Sequence, residues 1–167
     1  MRNLALLALA AAAFVSPALA QKVGQTIDVG GWKLSMALNT DGSTGCTATY
    51  VYDDKSIIAF SVDNDETHMF IVSEPTAKMT KGQQVQLTYR IDSGFKTTGM
   101  GIAASETMLA VPSPESDIDK VYKAFQRGNS LFISLGKEEF EEPLAGSNDA
   151  LGALGTCQEK LPARGKK

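Results

Sequence analysis

Between positions 32 and 38 the side chains alternate strictly. Trp32, Leu34, Met36 and Leu38 fall on one side and Lys33, Ser35 and Ala37 on the other, the period of two expected of a strand with one buried face. A turn-rich stretch around Asp41-Gly42 follows. The alternation then resumes, with Cys46, Ala48, Tyr50 and Tyr52 opposed to Thr47, Thr49 and Val51. Ile58, Phe60 and Val62 are in phase in the next run, 68–73 is an apolar stretch suited to a central strand, and Val85, Leu87, Tyr89 and Ile91 are in phase again. A short run at 25–29 precedes Gly30-Gly31, a hairpin-type turn. The stretch 95–111 reads as one or two weaker strands broken by Gly99 and Gly101, glycines of the kind that mark a bulge or a close backbone approach. Segment 131–135 is a further strand, and 138–144 a strand or an extended arm.

The period changes after Pro112. Ile118, Val121, Tyr122 and Phe125 are spaced i, i+3, i+4, i+7, with Ser113 as a possible cap, acidic residues in the first turn and Gly128 as the stop. A second helix is expected from Ser147, carrying Leu151, Leu154, Cys157 and Leu161 on one stripe and ended by Pro162. Turns recur every 8–12 residues in about the rhythm of antiparallel all-β folds. The expected architecture is therefore mainly β, an antiparallel β-sandwich or partly open barrel with two short helices near 113–127 and 147–160.

The ends change this picture. Residues 1–20 have a basic Arg2, a continuous apolar run and the small-residue site Ala18-Leu19-Ala20, the pattern of a cleavable signal peptide. Its apolar run, about a dozen residues, is too short to span a bilayer. One β-rich domain is expected over 21–167, in the periplasm or secreted after cleavage following Ala20, with a short basic tail. Lys and Arg total 16 and Asp and Glu 19; without Arg2 the balance is 15 against 19, a net charge of −4. With no basic stripe interleaved with aromatics, nucleic acid is a poor candidate partner. The chain has two cysteines, and in an exported protein two cysteines most often pair. A Cys46–Cys157 disulfide would clamp the last helix onto the first long hairpin and, on the chain-entropy view, be worth roughly 4–5 kcal/mol. Two free buried thiols or an intermolecular pair are the alternatives.

The search for chemistry is mostly a series of exclusions. His68 is the sole histidine, which rules out H-E-x-x-H and other multi-histidine metal sites; a surface or strand-end role suffices for it. No G-x-S-x-G elbow accompanies it. The stretch from Gly99 to Ala104 matches G-x-G-x-x-A, but its flanks are β-like rather than βαβ. Asp63-Asn64-Asp65-Glu66 lacks the glycine of an EF-hand loop and reads as a hairpin turn. Glu138, Glu139, Glu141 and Glu142 form the densest acidic patch, best explained as a solvated edge that discourages strand-to-strand aggregation or as a docking surface for a basic partner. No catalytic residue, cofactor or metal site is implied.

Several features together resemble the invasion-associated locus B family of small secreted proteins from alphaproteobacteria. They are Trp32 opening one strand and Cys46 the next, an acidic amphipathic helix followed by Gly128-Asn129-Ser130-Leu131, and the ending Pro143-Leu144-Ala145-Gly146-Ser147, Ala150-Leu151, Leu154 and Cys157. The resemblance implies a periplasmic, β-rich, non-enzymatic protein and carries no catalytic residues with it. Trp32-Lys33-Leu34 followed by Cys46 is also similar to small periplasmic inhibitors of proteases or lysozyme, in which case the 21–25 arm could insert into a hydrolase. A binding or envelope-accessory protein with a protein partner is thus the leading expectation, and a hydrolase inhibitor the alternative. A binding module should show an exposed apolar patch or an open sheet edge. An enzyme should show a deep pocket with a perturbed carboxylate beside His68 or Arg90.

Overall fold

The computed structural model describes residues 24–38, 43–113, 115–136 and 138–162. The strands are β1 (Thr26–Val29), β2 (Trp32–Leu38), β3 (Thr44–Val51), β4 (Ile57–Asp63), β5 (His68–Ser73), β6 (Gln84–Ile91), β7 (Phe95–Ala103), β8 (Met108–Ser113), β9 (Ser130–Leu135) and β10 (Glu138–Pro143). Helix α1 (Glu115–Arg127) lies between β8 and β9, and α2 (Ser147–Gln158) follows β10. The strands form one antiparallel sheet in the order β1-β2-β3-β4-β5-β8-β7-β6-β9-β10. Its ladder does not close into a complete barrel, which agrees with the expected mainly β, partly open architecture.

The alternating runs become the inner face. Trp32, Leu34, Ala48, Phe60, Val62, Phe70, Leu87, Tyr89, Leu131 and Ile133 are buried. Both helices pack on this concave side. Phe125 of α1 sits edge-on to Phe60, with ring centroids 4.6 Å apart, and also contacts Phe70 and Tyr89. Helix α2 lies against β1 to β4, and Cys157 is joined to Cys46 of β3 with Cα atoms 6.1 Å apart.

The open ladder is drawn together at one seam by other means. Trp32 Nε1 donates to Ala145 O at 2.9 Å, and Tyr52 OH donates to Pro143 O at 2.9 Å. Gly30 and Gly146 meet backbone to backbone, both at positive φ, and a side chain on Gly146 would collide with the Gly30 carbonyl. Only glycine combines this conformation with this approach.

Several expectations need correction. Ser113 is the last residue of β8, paired with His68, and α1 is described from Glu115 rather than from 113. Helix α2 ends at Gln158 rather than 160, so Leu161 falls outside it. Its N-cap position is held by Gly146; Ser147 lies inside the helix, and its buried Oγ donates to Phe125 O at 2.7 Å, tying α2 to α1. Leu38 is exposed despite its place in the alternation, because β2 has run past the area that the core covers. Gly99 and Gly101 do not break their strand: β7 runs through both. The 1–20 segment, the first three residues of the 21–25 arm, the Asp41-Gly42 turn and the tail from 163 lie outside the described residues.

Candidate binding cleft

The sheet contains a second junction, between β7 and β8, and it is built differently. These strands pair only at Ile102↔Ala110 and Ala103↔Leu109. Toward its beginning β7 remains fully paired with β6, from Phe95↔Ile91 to Ile102↔Gln84, while β8 is paired with β5 along its whole length. From Phe95 to Gly101, β7 thus has a ladder partner on one side only. Side chains lean across the gap: a Cβ on Gly99 would sit 2.9 Å from Val111 Cγ1, and one on Gly101 2.8 Å from the Leu109 side chain. The two glycines leave room for the Val111 and Leu109 side chains, and at Gly101 the Ala110 carbonyl also comes within 3.0 Å of that Cβ position, so the strands part only ahead of Gly99.

The gap opens into a cleft of about 360 Å³, lined by Tyr89, Phe95, Met100, Val111 and Val121, with Lys96, Asp117 and Lys120 at its mouth. That volume suits a few side chains of a ligand. Tyr89 is fixed from the core, its ring against Phe70 at 5.0 Å, Phe125 at 5.9 Å and Phe95 at 6.1 Å. It is 4% exposed, and no residue described here hydrogen-bonds its hydroxyl. Burial, reinforced by the Asp117 carboxylate, pushes its pKa up to about 12, so it is a neutral hydroxyl available to a ligand. Lys120 pairs with Asp117 at 3.1 Å, and Lys96 has no ion-pair partner among the described residues. Met100 and Ile102, both about half exposed, extend an apolar surface beyond the cleft.

The residues singled out by sequence are scattered rather than gathered. His68 opens β5, half-buried, with Nδ1 2.9 Å from Tyr122 OH. Arg90 lies over the Phe132 ring at 3.7 Å and donates to Asp92 O. Asp63 Oδ1 accepts from Asp65 N and Thr67 N, making the 63–67 segment a tight turn. Glu138, Glu139 and Glu141 are exposed on edge strand β10, as expected of a solvated patch.

Glu142 breaks that expectation. It is buried, with Oε1 2.7 Å from Ser56 Oγ, and the same hydroxyl lies 2.7 Å from Asp54 Oδ1. Burial raises the Glu142 pKa and the Asp54 and Glu74 carboxylates add to it, while the Ser56 contact opposes. Asp54 is held below the usual range by hydrogen bonds from Ser56. A hydroxyl has one hydrogen to give. Both contacts are satisfied when protonated Glu142 donates to Ser56 Oγ and Ser56 donates to Asp54. The void beside Glu142 is far too small for a substrate, about 10 Å³. Ser73, at the end of β5 opposite His68, lines that void. Five residues of strand, about 17 Å, therefore separate the one raised carboxylate among the described residues from the sole histidine. Among the described residues no group of three or more His, Cys, Asp or Glu is placed to hold a metal ion.

No protein-family model and no curated protein sequence matches the chain. Among solved structures, the crystal structure of invasion associated protein B from Bartonella henselae is similar, with a TM-score of 0.56 and 15% identity over 83% of this chain and 99% of that one. At that identity the likeness is one of fold.

Proposed function

We propose that the mature chain is a non-enzymatic binding or envelope-accessory protein of the periplasm or the secreted fraction, with a protein as its partner and the β7–β8 cleft as its site. The observation that carries this reading is the one-sided pairing of β7 beside an open cleft. Unpaired strand edges are liabilities that folds usually cover or blunt, and an edge left open beside a ligand-sized gap is a recognition feature. The disulfide is compatible with an oxidising compartment, and no described helix is long and apolar enough to cross a membrane. The fold likeness to invasion associated protein B supports the same reading, including membership in that protein's wider family.

The test is capture from a periplasmic extract, with wild type and Gly99→Val as baits and mass spectrometry as readout. Valine at 99 drives a side chain against Val111 and into the cleft. An envelope protein retained by wild type and lost from a Gly99→Val bait of unchanged melting temperature is the expected result. Equal capture by both baits would contradict the cleft. A stoichiometric hydrolase whose activity is blocked would replace this reading with that of an inhibitor.

A further inference from the structure

We infer that the cleft binds by strand addition to β7 and selects an extended protein segment that carries an acidic side chain. This rests on the binding reading above and names the chemistry of the partner. An extended segment laid along β7 from Phe95 to Thr98 would pair with backbone N–H and C=O groups that lack a partner on that side, the interaction that gives strand addition its affinity. The wedge closes at Gly99, where a Cβ would already lie 2.9 Å from Val111 Cγ1, so it has room for about four residues, Phe95 to Thr98, roughly 13 Å of strand.

Alternation then assigns the side chains of the guest. Those turned inward meet Val111, Val121 and Phe95 and pass the unpartnered Tyr89 hydroxyl at the cleft floor. This combination accepts β-branched or aromatic groups and offers one hydrogen bond. Those near the mouth meet Lys96 and the Lys120–Asp117 pair. The pair is internally compensated, which leaves Lys96 as the net charge of the rim. A positive spot on a chain whose exported part carries −4 favours an acidic residue over a basic one.

The experiment uses the full mature protein as bait for phage-displayed random short peptides. The best sequence is then made as a capped synthetic peptide and titrated by fluorescence anisotropy. The expected result is enrichment of Asp or Glu near β-branched or aromatic residues at alternate positions. Replacing the acidic residue by lysine should weaken binding about tenfold or more, the scale of exchanging a charge attraction for a repulsion at a partly exposed site. Methylating alternate backbone nitrogens should abolish it, and Lys96→Glu should reverse the charge preference. Selection insensitive to both Gly99→Val and Lys96→Glu would overturn the cleft reading itself. Selection that Gly99→Val abolishes, but that shows neither charge bias nor dependence on backbone N–H groups, would leave the cleft standing and overturn this inference. Because Lys96 is exposed and outside the core, its variant remains informative even if Gly99→Val fails to fold.

Discussion

One sheet here has two imperfect junctions, and they are completed in opposite ways. At the seam between β10 and the β1–β4 end, no ladder closes the sheet, yet nearly every polar group is accounted for: Trp32 to Ala145, Tyr52 to Pro143, Ser56 to Glu142 and Asp54. At the β7–β8 junction the strands do meet, over two residue pairs, and then separate beside backbone and side-chain groups left without a partner. A buried polar group costs free energy unless it is hydrogen-bonded. The seam meets that requirement internally and is therefore structural, whereas the cleft leaves its hydroxyl and strand edge to solvent or a ligand. The two tyrosines state the contrast compactly. Both are buried on the inner face, but Tyr52 spends its hydroxyl on Pro143 and Tyr89 does not.

The largest effect should come from the disulfide that anchors α2 beside the seam. The double variant Cys46→Ala, Cys157→Ala opens a link between residues 111 apart and should lose about 4 kcal/mol in urea unfolding, with 147–158 becoming the first site of proteolysis. Unchanged protease resistance there would mean that packing alone holds the helix. Next, Tyr52→Phe should lower stability by about 1 kcal/mol, because it orphans the Pro143 carbonyl. Tyr89→Phe should leave stability within about 0.5 kcal/mol and instead weaken peptide binding. If the two tyrosine variants destabilise equally, the distinction between sealed seam and open cleft fails.

A third change sharpens the comparison through pH. Glu142 has a raised pKa in the folded state, so between the ordinary carboxyl range and that raised value the native state binds more protons than the unfolded chain. Its contribution is fully present at low pH and is lost as pH rises through that window. Glu142→Gln should remove this decline, so that the melting temperature of the variant gains on wild type as pH rises from acid toward neutral. Parallel profiles would show that Glu142 is not held in its neutral form. Peptide binding at the cleft should instead strengthen as the acidic side chain of the peptide ionises at the lower end of this range, and Glu142→Gln should leave that profile unchanged.

Much of the framework was legible because alternation is a local signal. The inward phase of β2, β3, β4 and β6 follows from Trp32, Ala48, Phe60 and Tyr89, and the two cysteines at opposite ends marked the clamp. The departures have non-local causes. Glu142 looks like its three acidic neighbours and becomes buried only because Ser56 and Asp54, far away in the chain, are brought beside it. Ser147 carries the signal of a cap, yet Gly146 meets Gly30 so closely that the helix starts one residue earlier and Ser147 turns to Phe125 instead. The cleft was half visible. Gly99 and Gly101 signalled close approach, but that the approaching atoms belong to Val111 and Leu109, and that the strands part beyond them, depends on the placement of β8. Nothing in the local pattern separates Tyr89 from Tyr52.

The most direct test of the cleft is amide hydrogen exchange along β7, followed by mass spectrometry or NMR, before and after addition of the selected acidic peptide. In the free protein, alternate amides between Phe95 and Thr98 should exchange rapidly while those facing β6 stay protected. With the peptide bound, the rapid set should become protected, and the exposed β10 edge at Glu138–Pro143 should not change. Protection that appears at β10, or binding that leaves β7 exchange unaltered, would contradict the assignment of this cleft as the binding site.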